Sequence, residues 1–240
     1  MLPPETERVW NFLKELPALA GFVLAGGSAL ALTLHHRLSE DLDFVFPQPR
    51  LPRARLEALC RQAPSAGFNF EPNDNEAALQ EFVQSGMELH DYQQDFLVNG
   101  QVKVSFFAPD EALRKVFSGQ HKSVARVASL AELFKSKALV SAMRSKTRDW
   151  LDLYLLLRDH GFTIRDYQAA FQESGSLAQC DIGLSRLCSG QPQRDDEGYA
   201  HLLANPPTLA EMTNFFIAQR NQLEIATAAA FAAGKTGPKH

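Results

Sequence analysis

A chain of 240 residues with 45% hydrophobic and 22% charged side chains carries enough apolar material for a sizeable core, which excludes collagen-like, coiled-coil and wholly disordered readings. Its 24 Lys and Arg against 28 Asp and Glu give a formal charge of −4, which argues against a general nucleic-acid-coating protein. That average conceals a segregation: from Arg114 to Arg148 nine basic residues face one acid, Glu132, so this stretch carries +8 and the rest of the chain −12.

Val9, Trp10, Phe12, Leu13 and Leu16 recur at helical spacing after residue 4, and Pro17 supplies a stop. GFVLAGG at 21–27 reads as a short buried strand entering a glycine turn, with Ser28 at the start of the helix-forming ALALTLHH. DLDFVF at 41–46 is a second strand, stopped by Pro47. A helix is predicted over 52–61, with Pro52 near its first turn, and a strand in FNFEP at 68–72. Residues 87–107 alternate on either side of Asn99-Gly100, the pattern of a hairpin with a two-residue turn. From Ser129 onward the periodicity becomes helical, over 129–144, 147–159, 163–173, 177–188 and 208–231, with Gly161 stopping the second of these. The terminal GKTGPKH is expected to fray, and its GKT lacks the context of a phosphate-binding loop. The expected organisation is therefore α+β: a core with a small mixed sheet over residues 1–125, then an all-helical domain over 126–240.

Cys60, Cys180 and Cys188 are odd in number and match neither a disulfide framework nor a zinc site, and His35-His36 has no ligand partner at suitable spacing. A reducing cytoplasm is the expected location. The first sixteen residues lack the apolar run of a signal peptide, and no segment has the length to cross a bilayer, so no membrane association is expected.

Two constellations carry chemistry. Asp41 and Asp43 stand two apart on a predicted strand, so their carboxylates project from one face and can hold hard divalent cations. Gly26-Gly27-Ser28 precedes them at a strand-to-helix turn, where backbone N–H groups and a hydroxyl suit the terminal phosphates of a nucleotide. Together these are the parts of metal-assisted phosphoryl transfer, although each alone is more often a turn or a solvated strand end. The second is the basic stretch. Lys137 and Arg144, seven apart, share a helix face, and Arg148 and Asp152 at i,i+4 can pair. An ordinary charged surface explains such residues equally well, but the concentration of +8 favours an anion site for polyphosphate or RNA, with aromatic residues such as Trp150 available to bases.

The order GGSALALTLHHRLSEDLDFVF, VKVSFF, LAELFKSKALVSAMRSKTRDWLDLYLLL resembles the AbiEii/AbiGii-type bacterial nucleotidyltransferases of the polymerase-beta-like superfamily, over roughly residues 18–160. The resemblance implies a nucleotidyltransferase core and a helical domain with the active site between them. It further implies that Gly27 and Ser28 cradle the triphosphate, Asp41 and Asp43 hold magnesium, two ions with the nucleotide and manganese as an alternative, and Lys137 contacts phosphate. Arg148 and Asp149 match an Arg-Asp signature, and Asp152 is the acid three residues on, expected to orient the lysine or the substrate. Toxins of toxin–antitoxin or phage-defence pairs are common among such proteins, with tRNA ends among the nucleotide acceptors and a cognate antitoxin as partner; a protein acceptor is the next expectation.

One position departs from the pattern. Where many nucleotidyltransferases carry a third carboxylate on the strand of VKVSFF, this chain has Ser105. With a two-residue turn at Asn99-Gly100, Gln94 lies opposite Ser105 and Asp95 opposite Val104, which turns Asp95 to the other face. Glu88 would serve only if the preceding segment folded back. Ser105 thus motivates a second expectation, a catalytically silent module that binds nucleotide, RNA or a partner, and a weaker third, a helical half that docks an antitoxin.

Overall fold

The computed structural model describes residues 1–119 and 123–235, so Lys122 and residues 236–240, where fraying is expected from sequence, lie outside the described residues. Helix α1 (Pro4–Leu13) buries Val9, Trp10 and Leu13. Strand β1 (Val23–Ala25) runs into α2 (Gly26–Leu34), and β2 (Leu42–Val45) follows, in the predicted order strand, helix, strand. Helix α3 (Arg53–Gln62), strand β3 (Phe70–Pro72), helix α4 (Glu76–Gln84), strands β4 (Gln93–Val98) and β5 (Val102–Phe107), helix α5 (Glu111–Phe117) and strand β6 (Arg126–Val127) complete the first part. Helices α4 and α5 and strand β6 were not predicted: α4 and α5 are short, with nine and seven residues, and β6 is two residues long, too little for a strand period to show.

The strands form one mixed sheet in the order β3-β4-β5-β2-β1-β6. The central strands β2 and β5 run parallel, β1 lies antiparallel to β2, and β6 joins β1 in parallel. One face of the sheet carries Leu24, Leu42, Phe44, Val98, Val102, Val104 and Phe106, all buried. There Phe44 stacks on Phe106 with ring centroids 5.3 Å apart, and Phe22 and Phe96 meet the edge of Phe106 at 5.5 and 6.1 Å.

The β4–β5 register corrects the expectation of a two-residue hairpin. Asn99 and Gly100 do have positive φ, and the Gln101 N–H donates to the Val98 carbonyl, as such a turn requires. Pairing, however, resumes with Val98 opposite Val102, leaving Gln101 as an extra residue outside the ladder. The apolar pattern forces this slip: it pairs Phe96 with Val104 on the core face, whereas the shorter loop would set Phe96 against Lys103. Asp95 consequently stands opposite Ser105.

The chain divides into two compact units, Met1–Ser136 and Lys137–His240, rather than at residues 125/126. The later boundary follows from β6, which hydrogen-bonds to β1, and from Arg126, whose guanidinium grips Glu132 at 2.6 Å in the first turn of α6 (Leu130–Ser141). The second unit holds the rest of α6, then α7 (Thr147–Asp159), α8 (Ile164–Ser174), α9 (Cys180–Ser189) and α10 (Leu209–Lys235), as the helical periodicity predicts. Its core includes Trp150, Leu153, Tyr167, Phe171 and Phe216. Among the described residues, no helix is long and apolar enough to cross a membrane.

Phe106→Ala removes the ring on which Phe22, Phe44 and Phe96 converge. It is expected to lower stability by about 3–5 kcal/mol in urea unfolding, and a loss below about 1 kcal/mol would contradict this packing.

Candidate active site

In the first unit the site is built around the β1–α2 turn. Gly26 has φ +65°, and a Cβ there would stand 2.5 Å from Asp43 Oδ2. A Cβ on Gly27 would overlap the Arg37 guanidinium and lie 2.9 Å from Ser39 Oγ. The two glycines therefore let a carboxylate and a guanidinium rest directly on the first turn of α2. Asp41 and Asp43 are half-buried, whereas Arg37 is 4% exposed. Ser28, expected to reach the phosphates, is 1% exposed: its hydroxyl donates to the backbone carbonyl of Asp41 and shares a 3.0 Å hydrogen bond with Ser39 Oγ. It clamps the start of β2 to α2 and so fixes the carboxylate pair. Arg37 and Ser39 were not singled out from sequence; the signal available was their position between the glycine turn and DLD, which brings both back over the turn.

Beyond this turn a polar row crosses the sheet. Ala25 pairs with Asp43, Asp43 with Ser105, and Ser105 with Asp95, so these residues share one row and one face. Asp95 is 6% exposed; its Oδ2 accepts a 2.6 Å bond from Gln93 Nε2, and its Oδ1 is buried with no hydrogen-bond partner among the described residues. Leaving such an atom unsatisfied costs about 1–3 kcal/mol. Glu88, the other acid considered, is exposed and outside β4. Among the described residues no three His, Cys, Asp or Glu side chains gather into a group that could hold a metal.

In the second unit Lys137, Arg144, Asp149 and Asp152 come together. Lys137 Nζ stands 2.6 Å from Asp149 Oδ1 and 2.8 Å from Asp152 Oδ2, and Arg144 Nε lies 2.8 Å from Asp149 Oδ2. Lys137, Asp149 and Asp152 are buried, while half of the Arg144 side chain reaches solvent. Burial would raise the Asp149 pKa, but the charges of Lys137 and Arg144 outweigh it and hold the carboxyl below its ordinary value. Arg148 does not pair with Asp152. It turns to Glu197 at 3.0 Å and to the Gly198 carbonyl, because Asp152 faces inward to the lysine. Trp150 is fully buried and unable to stack on a base.

The positive stretch is thus matched largely from within the chain. Lys115 meets Glu111, Arg126 meets Glu132, Lys137 and Arg144 meet Asp149, and Arg148 meets Glu197. Among the described residues, five of the nine cations of this stretch stand in ion pairs. The three cysteines are free thiols, with Cys60 and Cys180 pushed up to about 11 by burial.

A glycine turn with the Asp43 carboxylate seated on it and a buried Lys-Asp-Asp cluster occur here in one chain, and residues 12–231 match the family of nucleotidyl transferase AbiEii toxins of type IV toxin–antitoxin systems. The chain belongs to the AbiEii nucleotidyltransferase toxin family. An uncharacterized protein of Aquifex aeolicus (strain VF5) is 29% identical over 147 residues, which span 61% of this chain and 63% of that relative's length. Among solved structures, MenT4, a nucleotidyltransferase toxin from Mycobacterium tuberculosis H37Rv, superposes with a TM-score of 0.56 at 15% identity, covering 88% of this chain and 82% of its own. At that identity the likeness establishes a shared α+β fold.

Asp149→Ala leaves Lys137 with one of its two acids and is expected to cost about 3–5 kcal/mol in denaturant unfolding at neutral pH. Because the folded-state pKa is lowered, this contribution is complete above the unfolded carboxylate pKa of about 4 and is lost as pH falls through the lowered folded value. The stability gap between wild type and variant should therefore be level from about pH 6 to 8 and shrink below about pH 4; a gap growing on acidification would contradict the cluster.

Proposed function

We propose that the protein is the magnesium-dependent nucleotidyltransferase toxin of a bacterial toxin–antitoxin pair. It moves a nucleoside monophosphate from a nucleoside triphosphate to an acceptor hydroxyl on an RNA end, such as that of tRNA, and releases pyrophosphate. The observation that carries this reading is the Asp43 carboxylate seated on Gly26 at the start of α2, two residues from Asp41, in a chain of the AbiEii family.

The donor set fits magnesium. Asp41 and Asp43 offer hard carboxylate oxygens, and this ion is commonly held by one or two carboxylates with phosphate oxygens and water completing its shell. Bound by these two residues, magnesium supplies charge neutralisation on the phosphates during in-line displacement.

The chain's own residues act by position. The first-turn N–H groups of α2 have no partner within the helix, and Gly26 and Gly27 allow phosphate oxygens to approach them. The Arg37 guanidinium over Gly27 adds a positive charge beside the same turn. Ser28, through the Asp41 carbonyl, keeps the carboxylates in register with that turn. In the second unit Asp149 and Asp152 hold Lys137, and Arg144 is the member of the cluster most open to an anion.

The test is transfer of label from each α-labelled triphosphate, with magnesium, to total RNA and to cell protein. Label should enter RNA, vanish on chelation of the metal, and fall at least about 100-fold in Asp41→Ala and Asp43→Ala. Equal labelling by the variants would overturn the assignment, and label in protein alone would replace RNA as the acceptor.

A further inference from the structure

The turn between α6 and α7, residues 142–146, carries Arg144 and leads into Asp149, so its backbone decides where the open end of the Lys137 cluster stands. Its own residues do little to fix it. Lys146, the residue before α7, makes no side-chain hydrogen bond to the helix start, and Arg144, Lys146 and Arg148 crowd three positive charges together with no acid among them. The missing contacts come from the segment between α9 and α10. Asp196 Oδ1 accepts the Thr147 N–H at 2.9 Å and its Oδ2 accepts the Thr147 hydroxyl at 2.6 Å, from 49 residues away in the chain. A carboxylate in this place satisfies an N–H that a helix start leaves open, and it meets the positive end of the helix dipole. Two residues earlier, the Gln193 N–H donates to the Ser145 carbonyl at 2.9 Å and the Ser145 N–H donates back to Gln193 Oε1 at 3.1 Å. One residue later, Arg148 donates to the Gly198 carbonyl at 3.0 Å and pairs with Glu197. Buried Tyr199 ties the same segment down through the Pro207 carbonyl. Residues 193–198 thus grip 145, 147 and 148, with Arg144 on one side of the grip, Asp149 on the other and Thr147, 3% exposed, at its centre.

We propose that Asp196 is a positioning residue for triphosphate binding: through Thr147 it fixes the α6–α7 turn and so holds the Arg144 guanidinium where it meets the phosphates. A guanidinium recognises phosphate through a fixed fork of N–H groups, and a displacement of about 1 Å is enough to spoil such a contact. Arg144 is the group that touches the ligand, and Asp196 acts on it from behind the turn. This inference rests on the reading of the Lys137 cluster as a phosphate site and deepens it.

The experiment is equilibrium dialysis of the full chain against each α-labelled triphosphate with magnesium, which reads binding without turnover. Asp196→Ala should raise Kd about tenfold, as Arg144→Ala should, by loss of a charge-assisted contact to phosphate. Asp196→Asn, which keeps an acceptor for the Thr147 N–H, should stay within about threefold of wild type. In the Arg144→Ala background Asp196→Ala should change Kd by less than about twofold, because a residue acting through Arg144 has nothing left to position. A wild-type Kd in Asp196→Ala overturns the proposal. So does a loss that recurs in full in the Arg144→Ala background, the result a merely structural role gives. Should Asp196→Ala fail to fold, Thr147→Val removes the hydroxyl bond alone and is expected to raise Kd about three- to fivefold; no rise, or the same rise without Arg144, overturns the proposal. A wild type that binds the triphosphate but transfers no label overturns the enzyme reading and leaves this inference to the same double-mutant cycle, whereas a wild type that binds no triphosphate overturns both.

Discussion

The pairing of Val98 with Val102 and of Phe96 with Val104 is the constraint on which the site depends. Four apolar side chains choose a three-residue loop over the two-residue loop that Asn99-Gly100 alone would give, and a single-residue slip turns every side chain of β4 to the opposite face. The choice is a matter of core packing, made far from any chemistry. Its consequence lies on the other face, where Asp95 comes opposite Ser105 and in line with Asp43.

The two units treat charge in different ways. In the second, Lys137, Asp149 and Asp152 are buried together with Arg144 at the rim, so desolvation is offset by close opposite charges and each group depends on the others. In the first, Asp43 is held against a helix N-terminus and a glycine, and Asp95 keeps a bare oxygen in the interior. The Lys137 cluster is satisfied by close ion pairs, while Asp95 Oδ1 is buried without a hydrogen-bond partner among the described residues. Unsatisfied buried polar atoms are uncommon in folded proteins, and the one on Asp95 lies in the row that holds Asp43 and Ser105.

Much of this was legible in the sequence, for identifiable reasons. The strand-turn-helix at 23–34, the DLD strand and the helices from α6 to α10 follow from strong local periods and a glycine turn. The pairing of Lys137 and Arg144 with one carboxylate could be anticipated only as a shared face, since Asp149 lies on the next helix. Arg148 was misassigned because i,i+4 spacing says what can meet, while burial of Asp152 decides what does. Trp150 shows the same limit: its place in the helical period fits a core residue, and the structure puts it there. The hairpin register was recoverable in principle, because matching apolar residues across the two strands already favours the longer loop over the turn dipeptide.

The β4–β5 register is open to direct measurement. Cross-strand NMR contacts between backbone protons of β4 and β5, measured on the isotopically labelled full chain, test it most directly. The account predicts contacts of residue 95 with residue 105 and of residue 98 with residue 102; contacts of residue 94 with residue 105 and of residue 98 with residue 101 would place Asp95 on the opposite face and contradict it.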